Sequence, residues 1–195
     1  FEFATKVAAS TNVSVADKET YSQIESIVSD AKNPKKCTFT YDKVRWDFYM
    51  LGTFFPLPKH LEEPIFKKYG GQKEGYEKNS LYTKEPTNVG LYDGPYVVSE
   101  IQLGDHVTFV PNAKFYGEAP KIKKIIMKLI PNTGTLEANL RSGTIDLISI
   151  LGLDLDQALA FSKKSKEEKL VYEVLFQPST VYEHIDLNLD NPFLK

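Results

Sequence analysis

The chain has 195 residues, 42% of them hydrophobic and 26% charged, with a formal net charge of −2, which is globular material sufficient for one large domain or two small ones. Its lysines are spread among carboxylates, which excludes the concentrated positive footprint that nucleic acid requires, and its single cysteine, Cys37, excludes an internal disulfide. No apolar run approaches the length that crosses a bilayer, and FEFATKVAAS lacks the zones of a signal peptide; a start without methionine and an end at NPFLK give the chain the look of a segment of something longer.

In chain order, Tyr21, Ile24, Ile27 and Val28 fit a helical stripe, yet the β-branched members of that set suit a short strand equally well. KNPKKCTFTYDK is clearer. Asn33 and Pro34 make a turn, and Cys37, Phe39 and Tyr41 then alternate with Thr38, Thr40 and Asp42, as in a strand with one buried face. RWDFYML, residues 45–51, reads as a short helix stopped before Gly52, Pro56 and Pro58, and KHLEEPIFKKYG as another with Pro64 in its first turn. Residues 70–90 are rich in Gly, Lys, Glu, Asn and Thr and read as a surface connection, with a domain boundary there or slightly before.

From Tyr96 the pattern becomes regular. YVVSEIQ and HVTFV flank Leu103, Gly104 and Asp105 as a hairpin, and KIKKIIMKLI supplies a third strand. A short helix follows with Thr135 as N-cap, Leu136 and Leu140 on one face and Gly143 at its end, before extended structure resumes over Ile145, Leu147 and Ile148. Asp154 and Gln157 predict a capping box for a helix from Leu155 to about Lys164. KLVYEVLFQ and VYEHIDLNLD then alternate as strands, the second with Val181, Ile185, Leu187 and Leu189 inward. The sum is an α/β lobe with several antiparallel pairs and at least two short helices on one sheet.

Catalytic patterns are missing from the sequence. His60, His106 and His184 have no spacing that marks a metal site, and there is no nucleophile elbow, phosphate loop or dinucleotide fingerprint. Glu62 with Glu63, and Asp154 with Asp156, stand at helix starts, where carboxylates favour the free N–H groups. Tyr182 and His184 combine flat rings with hydrogen-bonding tips, a chemistry suited to gripping a peptide or sugar, although a solvated sheet face is the plainer reading. Trp46 and Tyr49, one helical turn apart, read as packing.

The ordered set of PLPKHL (56–61), GPYVVSEIQLGDHVTFVPNAKFYG (94–117), APKIKKIIMKLIPN (119–132), LEANLRSGTIDLI (136–148) and IDLNLDNPFLK (185–195) resembles the family 5 extracytoplasmic solute-binding proteins, the oligopeptide-, dipeptide- and nickel-type receptors of ATP-driven importers. Each motif alone is weak, and the order and spacing carry the resemblance. Pro58, Lys59, His60, Gly94, Pro95, Tyr96, Gly117, Pro131, Gly143, Ile145, Asp146, Asn188, Pro192 and Phe193 take their places in the family's sequence of motifs. Tyr92 departs from it, standing where the family has its first glycine, with Gly90 displaced upstream.

The resemblance implies a periplasmic binding protein-like α/β lobe (class II, cluster C type) with a mixed, largely antiparallel-paired sheet and short helices, here incomplete. Residues 1–60 correspond to the end of an accessory domain, in which Ile24 to Val28 form a strand pairing with Cys37 to Tyr41. Residues 61–195 correspond to the central part of the first ligand-binding lobe, the second lobe being absent. Implied in turn are a non-catalytic, monomeric receptor outside the cytoplasm, periplasmic or a cell-surface lipoprotein, without cofactor or metal, closing on a short peptide and delivering it to a membrane permease. The runners-up are nickel chelates, haem or oligosaccharides as ligand, and, from another class, an extracytoplasmic hydrolase. By position, the cleft-facing residues are Ile150, Leu151 and Gly152 after the Ile-Asp strand, together with Tyr182, Glu183 and His184. YDGPYVVSE carries the chain into the lobe, with Gly94 permitting unusual backbone angles and Pro95 fixing its own.

Overall fold

A computed structural model describes residues 1–15, 18–33, 35–44, 55–150, 152–177 and 185–193. By its packing the chain divides into two compact units, Phe1–Leu129 and Ile130–Lys195.

The first unit begins with helix α1 (Glu2–Ala8) and the short α2 (Lys18–Ser22). Phe3 with Val7 and Ala4 with Ala8 are i,i+4 pairs, so α1 presents two adjacent buried stripes. Ala4 and Ala8 pack with Tyr21 and Ile24, against Ile27, Phe39 and Tyr41. Phe3 and Val7 pack with Val13 and Tyr76, against Ile65 and Phe66. Strands β1 (Ile24–Ser29) and β2 (Cys37–Tyr41) form the antiparallel pair that the resemblance implied, with Ile27 opposite Phe39. Asp30 builds the turn between them, its Oδ1 accepting from the amides of Lys32 (2.8 Å) and Asn33 (3.0 Å).

Helix α3 spans Lys59–Tyr69, so Pro64 lies inside it and not in its first turn, and His60 is its second residue. The start is set by Pro58, whose carbonyl accepts from the amides of Leu61 and Glu62. Residues 70–90 differ from expectation. They hold α4 (Gly75–Asn79), α5 (Leu81–Lys84) and the start of a 3₁₀ turn (Val89–Leu91); the stretch buries Tyr76 and Ser80, and Leu91 is buried directly after it. A polar composition describes the average residue of this stretch, while these three well-placed side chains suffice to anchor it. The rings of Phe3 and Phe66 meet edge-on at 5.9 Å between centroids, as do those of Phe66 and Tyr76 at 5.5 Å. The core begun by residues 1–15 therefore runs on into α3 and α4.

The second sheet has the order β3 (Tyr96–Gln102), β4 (His106–Pro111), β5 (Ile125–Lys128), antiparallel throughout. Gly104, with φ of 79°, supplies the left-handed residue of the β3–β4 turn. A register shift between Val98 and Glu100 places Val97 and Val98 both inside and leaves Thr108 buried opposite. Before β3, Gly94 does not adopt a left-handed backbone, and a methyl group on it would meet nothing within 4 Å. What shapes this approach is Asn112. Its Nδ2 donates to the carbonyls of Gly94 (2.9 Å) and Tyr92 (3.3 Å), and its amide donates to Pro95 O (2.9 Å). The Tyr96 hydroxyl donates to Ile122 O at 3.0 Å.

In the second unit, α6 spans Thr133–Arg141 and α7 Leu155–Glu167. The N-cap of α6 is Asn132, three residues before the expected Thr135, and its Oδ1 accepts from the Thr135 amide at 2.8 Å. The expected capping box of α7 is present. Asp154 Oδ1 accepts from the Gln157 amide (2.8 Å) and Gln157 Oε1 from the Asp154 amide (3.1 Å). The strands expected over 145–148, 170–177 and 185–190 do not form among the described residues. Leu147, Val171, Leu175, Ile185 and Leu187 are exposed, Val171 at 94%. Alternation prepares a strand for one buried face, but the strand itself needs a neighbouring backbone to exchange N–H and C=O groups with. The described residues of this unit supply none. The helix expected at 45–51, with Trp46 and Tyr49, lies outside the described residues.

Candidate functional site

The segment from α6 to α7 holds the first half of the expected site. Ser149 to Gly152 make a tight turn closed by the Gly152 amide donating to Ser149 O at 3.0 Å. Ile150 projects from it, 87% exposed. Gly152 is needed for space: a Cβ there would lie 2.7 Å from Ile148 Cγ2 and 3.0 Å from the Ser149 carbonyl oxygen. Two residues later Asp154 caps α7, so the turn is pinned on its C-terminal side. Leu151, Tyr182, Glu183 and His184 lie outside the described residues. Of the six expected site residues, the structure thus places Ile150 and Gly152 on one turn.

Beside that turn is a recess of about 300 Å³ lined by Thr133, Glu137, Leu153, Gln157, Phe161 and Lys164, among others. Gln157 spans it at one end, where its Nε2 donates to Thr133 Oγ1 at 3.0 Å. Opposite, Glu137 Oε1 accepts from Lys164 Nζ and from Arg141 Nε, both at 2.9 Å, and Arg141 Nη1 donates to Glu168 Oε2 at 2.7 Å. Lys164 and then Arg141 hold the Glu137 carboxyl below the ordinary carboxylate range, and Glu168 and Glu137 raise the Arg141 guanidinium further. The four charges neutralise one another, so the wall offers hydrogen bonds and apolar surface with little net field. Such a surface suits binding by shape.

The other face of α7 carries a second open recess of about 360 Å³, with Ser162, Ser165, Lys166, Tyr172 and Phe176 in its lining. Tyr172 is tied down at both ends: its hydroxyl donates to Leu140 O (2.9 Å) and its carbonyl accepts from Ser165 Oγ (3.1 Å). Among the described residues, neither recess holds a nucleophile poised on a base. Among the same residues no group of three or more His, Cys, Asp and Glu side chains is placed to hold a metal ion. His106 bonds its neighbour, Nδ1 lying 2.7 Å from Asp105 Oδ2.

Sequence reasoning misses Thr133 and Lys164 as recess residues. It reaches Gln157 as a cap, but the bond from Gln157 to Thr133 spans 24 residues and follows from how α6 and α7 lie together.

The profile of the bacterial extracellular solute-binding proteins, family 5 Middle, matches residues 1–195. The chain belongs to that family. A stretch of 55 residues, 28% of this family 5 chain and 10% of the relative, is 38% identical to the nickel-binding periplasmic protein of Escherichia coli K12. Among solved structures, a periplasmic EDTA-binding protein matches with TM-score 0.63 at 24% identity, over 86% of this chain and 30% of that one. The oligopeptide-binding protein of Thermus thermophilus, solved with a pentapeptide, matches with TM-score 0.60 at 18% identity, over 80% and 29%. AppA of Bacillus subtilis, solved with a nonapeptide, gives 0.56 at 21%, over 73% and 26%. These likenesses establish the periplasmic-binding-protein-like fold. The family 5 chain spans less than a third of the length of these solved relatives.

Proposed function

We propose that this chain is part of the substrate-binding component of an ATP-driven importer, acting outside the cytoplasm as a monomeric, non-enzymatic receptor that binds short peptides in a cleft between two lobes and presents them to a membrane permease. The observation that carries the reading is the family match across residues 1–195. Residues 1–60 correspond on this reading to the end of the accessory domain and 61–195 to the central part of the first lobe. Ile150, Leu151 and Gly152 would line the cleft with Tyr182, Glu183 and His184. Two features of the chain agree with such a role. Ile150 stands exposed on a turn held rigid by Gly152 and the α7 cap, and the adjacent recess is charge-balanced, as suits ligands gripped through shape and main-chain contacts.

A nickel chelate is the second ligand reading, favoured by the 38% identity to a nickel-binding relative over 55 residues. Mass spectrometry of small molecules co-purifying with the full-length receptor separates the two. Peptides of a few residues support the first, and a nickel complex with no peptide overturns it. On this reading the 195-residue chain, which covers 30% or less of the length of those solved relatives, is expected to bind peptide weakly by itself. Calorimetry giving a Kd of about 1 μM or tighter for the isolated chain refutes the two-lobed account.

A further inference from the structure

Strands β4 and β5 are joined at one end of the second sheet by a loop, residues 112–124, that holds neither helix nor strand. Both feet of the loop are fastened to the start of β3. At the first, the Asn112 amide donates to Pro95 O and Asn112 Nδ2 to Gly94 O, each at 2.9 Å. At the second, the Tyr96 hydroxyl donates to Ile122 O at 3.0 Å. The loop therefore projects from that end of the sheet with its two feet held close together. Within it, Phe115 is half-buried and its ring meets that of Tyr116 at 4.8 Å between centroids. Gly117 leaves room for Phe115, since a Cβ there would lie 2.7 Å from Phe115 Cε1. Tyr116 itself is 89% exposed, and Ile122 at the second foot is 60% exposed.

The charge of this loop runs against that of the chain. Residues 112–124 carry four lysines, Lys114, Lys121, Lys123 and Lys124, and one carboxylate, Glu118, in a chain of net charge −2. All four lysines are exposed, and the ion pairs among the described residues engage Lys36, Lys67, Lys78, Lys163 and Lys164 instead. Lysines interleaved with exposed aromatic and apolar side chains make a surface suited to a lipid headgroup layer. Lysine stems lie along apolar material while their heads stay with phosphate, tyrosine sits at headgroup level, and isoleucine gains by leaving water. A protein partner would have to place a carboxylate opposite each lysine and a hollow opposite Tyr116, whereas an anionic bilayer supplies both without matching.

We propose that loop 112–124 docks on anionic phospholipid headgroups at the membrane surface, the four lysines meeting phosphates while Tyr116 and Ile122 enter the interface. The proposal rests on the reading of the chain as part of an extracytoplasmic receptor, and not on which ligand fills the cleft. Such docking confines the receptor to the plane that holds its permease and raises the effective concentration of one for the other.

Co-sedimentation of the full-length receptor, freed of any lipid anchor, with vesicles tests the proposal. It should bind vesicles of phosphatidylethanolamine with phosphatidylglycerol and not vesicles of phosphatidylcholine, and binding should fade as salt rises from about 0.05 to 0.5 M. Each lysine close to an anionic surface is worth roughly fivefold in partition, so the triple variant Lys121→Ala, Lys123→Ala, Lys124→Ala should bind about 100-fold less. Removing three exposed lysines from the β1–β2 turn, by Lys32→Ala, Lys35→Ala and Lys36→Ala, should leave partition within about twofold. Tyr116→Ser should weaken binding severalfold at unchanged salt dependence. Equal losses from the two triple variants, parental binding by Tyr116→Ser, or no preference for anionic vesicles overturns the proposal. So does binding that appears only when the permease is reconstituted in the vesicles, which assigns the loop to a protein partner. Co-purifying ligand is read separately, so a peptide-loaded receptor that ignores anionic vesicles sinks this inference and leaves the receptor reading standing.

Discussion

Replacing Asn112 with alanine isolates the interaction that shapes the approach to β3. The side chain donates to Gly94 O at 2.9 Å and to Tyr92 O at 3.3 Å, and its Oδ1 accepts from the Lys114 amide at 2.9 Å. The partly buried bond to Gly94 is worth about 1 kcal/mol net, and the long contact to Tyr92 and the exposed bond from Lys114 about half that each, so Asn112→Ala should cost about 2 kcal/mol. With a urea dependence of about 2 kcal/mol per molar, the midpoint falls by about 1 M at unchanged slope. Asn112→Asp keeps the acceptor for Lys114 but turns both donations into oxygen facing oxygen, so it should be no more stable than Asn112→Ala. Gly94→Ala is the control: its added methyl meets nothing within 4 Å, and it should stay within about 0.5 kcal/mol of the parent. Urea titration followed by far-ultraviolet circular dichroism reads all three. The reasoning fails if Asn112→Ala is neutral, or if Gly94→Ala is the more damaging change.

Gly152→Ala should cost about 1–3 kcal/mol, since the Ser149 carbonyl 3.0 Å from the added carbon is backbone and cannot rotate away; free exchange of the Gly152 amide in the folded variant would show the turn opening, and full protection at parental stability would contradict the steric argument. For Glu137, Lys164 and then Arg141 depress the folded ionisation below that of the unfolded chain, near pH 4.3. Its contribution to stability is therefore complete above about pH 4.3 and is lost as pH falls through the depressed folded value. Glu137→Gln should flatten the acid limb of the urea-midpoint profile between about pH 7 and 3, and an unaltered limb would show that the network contributes nothing.

The sequence alone settled whatever depends on near neighbours. The Asp154–Gln157 capping box, the β3–β4 hairpin around Gly104 and the alternating strand β2 are each decided within a few residues, by local hydrogen bonds and side-chain period. Family membership was legible for a related reason, since ordered short motifs survive where overall identity to solved relatives is 18–24%. Tertiary structure decided the rest. Residues 70–90 looked like solvent-facing chain until Tyr76 was placed against Phe66 and Phe3, and the alternation of 170–177 became no strand because, among the described residues, no neighbouring backbone came to it. The Gly-Pro-Tyr turn looked like a property of its glycine, yet its conformation belongs to Asn112, 18 residues downstream of Gly94. Periodicity records which face of an element is apolar, but only the approach of distant segments determines what that face meets and which polar groups find partners.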